Sequence, residues 1–321
     1  MLDCRAMRVL WLLLGLAVSL AVGAQAFPSR PVHLVVPNAP GGAIDIMARL
    51  FAQHLQPLWG QPAVVDYKPG AGTALGTEYV AKAAADGHTI LFAVTAHVIN
   101  PSLRKLPFDA AKDFSGVTLY GISHIVLCAT PGLAANTLSE LIALAKSRPG
   151  QLSYASPGSG SSMHLAGEQL KAMAGIDLLH VPFKGSGPAF PEVFSGRIEL
   201  IIDPLFSSLN YVKAGKLKAL AIASRRRTRA APEVPTVAET LPGFEVQSVF
   251  GVVVPSATPR ELVRRLNADF LKVLQLPAMR ARLDEFGIEP LGNSPEQFDA
   301  YIRDEIERWS RVVKAAGIKL D

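Results

Sequence analysis

The chain has 321 residues, 49% of them apolar and 18% charged, with a net charge of +5. That length exceeds what one small domain needs and allows two lobes with a core each. The composition argues against long disordered tails, and the single dense basic run, Arg225-Arg226-Arg227 with Arg229, reads as a solvated loop and not as the broad, aromatic-studded face a nucleic acid would require.

Residues 1–26 read as a secretory signal peptide. Arg5 and Arg8 precede an unbroken apolar run from Val9 to Val22, and small residues lead to Ala24-Gln25-Ala26. The run falls short of the ~20 residues that a bilayer span needs, so a membrane anchor is the weaker reading. Cleavage before Phe27 would remove Cys4 and leave Cys128 alone, so the exported chain could form no internal disulfide. Cys128 follows Ile125-Val126-Leu127 and is expected to be a buried, inert strand residue.

In the mature chain, Val32 to Val36 is a short β-branched run. Pro37 to Gly42 follow as a turn, and Met47, Leu50, Phe51, Leu55 and Leu58 then recur at helical spacing. The same strand, glycine turn and helix return with Ala63-Val64-Val65, Pro69 to Gly72 and the run to Ala85, and a strand is expected over Thr89–Ala93. This alternation predicts a mainly parallel sheet. A second set begins near Ser123, with strands expected at Ile125–Ala129, Leu152–Ala155, Leu178–Val181, Glu199–Ile202, Leu217–Ala223 and Phe250–Val254. Helices are expected at Ser139–Lys146, from about Leu165 and around Pro188–Phe194. After Val254 only helices are expected, at 259–274, 277–286 and 295–316, and they should pack back on the first lobe. The expected division is a signal peptide (1–26), lobe 1 (27–122 plus 256–321) and lobe 2 (123–255). Two chain crossings between lobes make a hinge over a central cleft.

Three glycine-rich turns lie between a strand and a helix: Pro40-Gly41-Gly42, Ser156 to Ser162, and Lys184-Gly185-Ser186-Gly187. A helix start offers up to four free N–H donors and about half a positive charge, and so suits a carboxylate or phosphate. Open α/β sheets collect ligands outside the carboxyl ends of their strands, which places all three turns at the cleft. Asp45 at a helix start would repel an anion in direct contact and is expected to be an N-cap that orders its loop; recognition of a ligand ammonium is the sharper alternative. Gly70-x-Gly72-x-x-x-Gly76 has the wrong spacing for a dinucleotide fingerprint. The seven histidines show no zinc spacing, so no metal and no cofactor are expected.

Taken in order, these motifs resemble the Bug family, the periplasmic solute-binding proteins of tripartite tricarboxylate transporters. The resemblance runs from Phe27 to Asp321. Its pieces include Pro37-x-x-Pro40-Gly41-Gly42-x-x-Asp45, Pro69 to Gly72, Asp86-Gly87-His88-Thr89, Tyr154-Ala155-Ser156-x-Gly158-x-Gly160-Ser161, His164 to Glu168, His180 to Gly185 and Val234-Pro235-Thr236. It implies an α/β, two-lobed periplasmic-binding-protein fold of the flytrap type (type II), without covalent chemistry. The implied partners are a small carboxylate and a membrane permease, with the receptor itself a monomer. Carried over by position, ligand contacts would come from Asn38, Ala39, Gly41, Gly42 and Asp45, from Thr95, from Ser156, Gly160, Ser161 and His164, and from Asp203. The chain departs from the family's usual pattern at Asn38, Tyr67-Lys68, Val249, Pro204 and Phe206, so the resemblance does not fix which carboxylate is bound. Di- and tricarboxylates, acidic amino acids and aromatic acids all remain open.

Two other functions would fit parts of the sequence. A carboxylate-sensing module for a membrane sensor kinase would use the same fold and site. A secreted serine hydrolase would use Ser161 or Ser162 with His164, but the G-x-S-x-G elbow is missing and no third group to orient the histidine is evident.

Overall fold

The computed structural model describes residues 27–41, 43–183 and 185–315. The expected signal peptide and Gly42 lie outside the described residues. The first three strands, β1 (Val32–Val36), β2 (Ala63–Tyr67) and β3 (Thr89–Val94), run parallel with β1 in the middle. The helices α1 (Ala43–Trp59), α2 (Ala74–Ala81) and α3 (Ala96–Leu103) follow them in turn. In α1, Met47, Phe51 and Leu55 lie four residues apart and are fully buried, the stripe that the sequence spacing calls for.

The next strand, β4 (Phe114–Ala129), runs 16 residues without a break. Only its last five residues were expected as strand. The first part is interrupted in sequence by Gly116 and Gly121, which blur the apolar pattern but are demanded by packing. A Cβ on Gly116 would come 2.8 Å from the Phe298 ring, and one on Gly121 would come 2.6 Å from Ile288.

Beyond β4 come α4 (Leu138–Ser147), β5 (Ser153–Ser156), α5 (Ser162–Ala174), β6 (Leu179–Pro182), α6 (Ser186–Phe194), β7 (Leu200–Pro204), α7 (Leu205–Lys213), β8 (Lys218–Ile222) and the short α8 (Val237–Thr240). Here too the three strands β6, β5 and β7 are parallel, whereas β7 and β8 both pair antiparallel with the end of β4. The strand β9 (Gln247–Pro255) returns antiparallel to both β3 and the first part of β4, with Leu91 opposite Val253 and Ser123 opposite Ser248. The expected strand Phe250–Val254 therefore exists but sits in the first half of the sheet, not with the second set. The chain crosses between the halves inside β4, near His124 and Ile125, and again just before β9, where the Val246 N–H donates to the Ala223 carbonyl at 2.9 Å.

The C-terminal segment folds as α9 (Arg260–Leu274), α10 (Pro277–Glu285), β10 (Ile288–Pro290) and α11 (Pro295–Ala315). The expectation of helices alone is corrected by β10, which pairs antiparallel with β4 at Ile288 and Ser123. Three residues ending in proline carry no alternation from which a strand could be read. The path through the sheet is β2-β1-β3-β9-β4-β7-β5-β6, with β8 and β10 also on β4. Parallel triplets at the two ends thus flank antiparallel connecting strands, a mixed sheet and not the mainly parallel one expected.

The first half is centred on the rings of Phe51, Phe92, Tyr120 and Phe270, with α9 contributing Val263, Leu266 and Phe270 to the same core. A second core joins Val126, Cys128 and Ile201 to Ala189, Phe190 and Val193 of α6. Cys128 is fully buried, and burial with the nearby Asp203 pushes its thiol pKa up, in keeping with an inert residue. The third cluster runs through both halves and includes Phe298, Ile302 and Trp309 of α11. The Arg225 and Arg227 side chains are exposed and paired with Glu245 and Glu239.

Candidate ligand-binding site

Four of the segments singled out in the sequence follow or close the carboxyl end of a parallel strand: Asn38–Asp45 after β1, Thr95 after β3, Ser156–His164 after β5 and Asp203 at the end of β7. In an open α/β sheet this edge is where a ligand meets backbone donors.

The β1 segment is ordered by Asp45. Its Oδ2 accepts the Gly41 N–H at 2.7 Å, and its Oδ1 accepts from Arg49 Nε at 2.8 Å and Tyr67 OH at 2.6 Å. Burial opposes its ionisation, but the bonds from Tyr67, Gly41 and Arg49, with the guanidinium charge, outweigh it and hold the carboxyl below its ordinary range. The expectation of an N-cap is corrected: Asp45 is the third residue of α1 and reaches back over the turn to Gly41. Its loop-ordering role is what the geometry displays. Ala39 and Gly41 are exposed, while Asn38 is half-buried with a sealed Oδ1 that has no hydrogen-bond partner among the described residues.

Thr95 is buried, and its Oγ1 accepts the Val249 N–H at 2.9 Å. The threonine that closes β3 is thereby fastened to β9.

The β5 segment is the most elaborate. Ser161 caps α5, its Oγ accepting the His164 N–H at 3.2 Å while donating to the Gly158 carbonyl at 2.7 Å. Gly160, at φ +77°, donates its N–H to His164 Nδ1 at 3.1 Å. Ser156 is fully buried; its Oγ lies 2.7 Å from His180 Nε2 and accepts the Gly158 N–H at 3.3 Å. The neighbouring Ser162 shares a hydrogen bond of 2.8 Å with Ser248 of β9. With the third amide capped by Ser161, the first-turn amides of Ser162 and Met163 cannot be satisfied within the helix, which is the condition of an anion-binding end. Ser161 and Ser162 thus serve the cap and β9, an arrangement unlike a nucleophile paired with the His164 ring.

Asp203 is fully buried and accepts hydroxyls from Ser186 and, at 2.9 Å, from Ser208. Burial pushes its pKa up to about 6, against the pull of those hydroxyls. It braces the starts of α6 and α7. Next to it the Gly185 N–H donates to the Pro157 carbonyl at 2.9 Å, so the third glycine turn leans on the β5 loop. Sequence reasoning assigned no individual role to His180, Ser186 or Ser248. His180 carried a signal as part of the His180–Gly185 motif and Ser186 as part of the third glycine turn, whereas Ser248 carried none.

Comparison with known proteins places the chain in a family. The profile of the TctC family, described as tripartite tricarboxylate transporter family receptors, matches residues 47–318. Protein BugT of Bordetella pertussis is 36% identical over 307 residues, 94% of either chain. The R. palustris protein Rpa4515, solved with adipate, is 36% identical with a TM-score of 0.83, covering 91% of this chain and 99% of its own. MatC (Rpa3494) from Rhodopseudomonas palustris, solved with malate, is 33% identical with a TM-score of 0.80, covering 89% and 100%. With a profile and relatives matched over most of its length, the chain belongs to the tripartite tricarboxylate transporter receptors, a family of binding and transport receptors and not of enzymes.

Proposed function

We propose that this receptor works as a monomer in the periplasm, exported by its first 26 residues, where it captures a small carboxylate between its two halves and passes it to a membrane permease. The observation that carries the reading is the start of α5. There Ser161 and Gly160 organise a helix start that follows the carboxyl end of β5. Such an end takes a carboxylate with little help from cationic side chains. Adipate and malate in two relatives of known structure support an aliphatic dicarboxylate as the first class to test. We place the halves at 27–123 with 247–315, and 124–246, joined through β4 and the entry to β9. Asn38, Ala39, Gly41, Gly42 and Thr95 would then face the ligand from one side, and Ser156, Gly160, Ser161 and His164 from the other. Asp45 and Asp203 would hold the loops that do so.

A thermal-shift screen of mature protein, unfolded and refolded to strip carried-over ligand, tests this against aliphatic dicarboxylates, tricarboxylates, acidic amino acids and aromatic acids. Ligand at ~100 times its dissociation constant adds about 2.7 kcal/mol and moves the midpoint by several degrees. A shift with one acid class identifies the cargo. Folded protein that shifts with none would end the carboxylate reading.

A further inference from the structure

Three rings from three elements stack in a column beside the start of α5. Tyr154 of β5 faces His180 of β6 with centroids 4.8 Å apart, and His180 faces His164 of α5 at 4.0 Å with planes only 13° apart. Each ring is also tied at its edge. Tyr154 OH donates to Glu168 at 2.8 Å, His180 Nε2 meets Ser156 Oγ at 2.7 Å, and His164 Nδ1 accepts the Gly160 N–H at 3.1 Å. That last bond keeps the proton of the neutral His164 ring on Nε2. Through Ser156, which in turn holds the Gly158 N–H, His180 touches the loop; through its ring face it touches the helix start.

We propose that His180 is a positioning residue for the binding site: its ring face sets the plane of His164 while its Nε2 sets the Ser156 hydroxyl, so that the Ser156–Ser161 loop and the first turn of α5 are held in one arrangement. The proposal rests on the reading of that turn as the carboxylate site. Two imidazoles laid flat on each other cannot both carry a charge without repulsion. Burial, with His164 and Lys171 nearby, pushes the His180 pKa down to about 3, which keeps it neutral. The two contacts are chemically separable. Phenylalanine keeps the ring face and loses the nitrogen; glutamine keeps a polar end and loses the face.

The test compares wild type with His180→Ala, His180→Phe and His180→Gln. Affinity is measured by calorimetry with succinate, malate, adipate and citrate as probes, and the histidine nitrogens are followed by NMR in 15N-histidine-labelled protein. His180→Ala should weaken binding of whichever probe the wild type takes by about tenfold, the loss expected for a hydrogen bond and a stack together. It should also move the His164 Nδ1 resonance from its hydrogen-bonded, unprotonated position. His180→Phe should keep that resonance and lose about fivefold in affinity; His180→Gln should do the reverse, shifting His164 more than Phe does. A folded His180→Ala variant that binds within twofold of wild type and leaves the His164 resonance in place would overturn the proposal. Should His180→Ala fail to fold, the same two readings on His180→Phe and His180→Gln decide it. If the wild type binds none of the probes, the aliphatic di- and tricarboxylate reading fails by itself, and an unmoved His164 resonance in the variants would still dispose of the positioning role.

Discussion

Replacing Asp203 with asparagine should stabilise the protein at neutral pH and change little in acid. The carboxyl is fully buried, meets serine hydroxyls and no cation among the described residues, and has its pKa pushed up by burial from 3.8 to about 6. The native state therefore holds this proton more tightly than the unfolded chain does. Between those two values the native state binds more protons, so stability falls as pH rises, the reverse of an ion-paired carboxylate. A rise of about two pH units costs about 3 kcal/mol once Asp203 is ionised, and about 2 kcal/mol of this falls between pH 4.5 and pH 7.5. Asparagine preserves the shape and an acceptor for one serine but has no charge to bury. Urea denaturation of both proteins at fixed ionic strength, followed by circular dichroism, should show the variant gaining on wild type by about that amount from pH 4.5 to pH 7.5. A difference that stays flat, or that shrinks as pH rises, would refute the reasoning and mean that a cation neutralises Asp203 in solution.

Three further perturbations probe the scaffold around the site. Gly251→Ala places a Cβ 2.3 Å from the Phe298 ring, so the melting transition should register a loss of about 1–3 kcal/mol from overpacking. Ser161→Ala removes the α5 cap and should cost about 1 kcal/mol in stability, with a matching fall in carboxylate affinity by calorimetry. Asp45→Asn should destabilise the protein at pH 7. Because the native Asp45 pKa lies below 3.8, wild type loses this advantage as pH falls through that lowered value, so the two denaturation curves should converge in strong acid.

The sequence showed the elements whose signal is local. The apolar stripe of Met47, Phe51 and Leu55 and the glycine turns before α1 and α5 were legible because helix period and turn chemistry act over a few residues. Ser161 could be named as a candidate from its place in a glycine loop, though its role as the cap of α5 shows only in the folded chain. What stayed hidden depends on distant partners. The first part of β4 carries Gly116 and Gly121 because Phe298 and Ile288 lie against them, and nothing near those glycines in sequence says so. β10 is strand only because β4 is there to pair with it. At the site, the family resemblance supplied Thr95 and Asp203 as contacts, yet each side chain is engaged by its own chain, Thr95 with Val249 and Asp203 with Ser186 and Ser208. His180 escaped for the same reason: its partners Ser156 and His164 lie 24 and 16 residues away in sequence.

The unbroken run of β4 restricts what kind of joint the molecule can have. A loop between domains can swivel about many axes, whereas a strand that is hydrogen-bonded to β9 along one stretch and to β7 along the next yields mainly by twisting and bending along its own length. The register shifts between Gly116 and Thr118, between Leu119 and Gly121, and between Leu127 and Cys128 are the places where such a ribbon already departs from regularity. Bending between the two ends of the sheet would thereby be channelled into few directions, with the strands on either side of β4 carried along as rigid blocks.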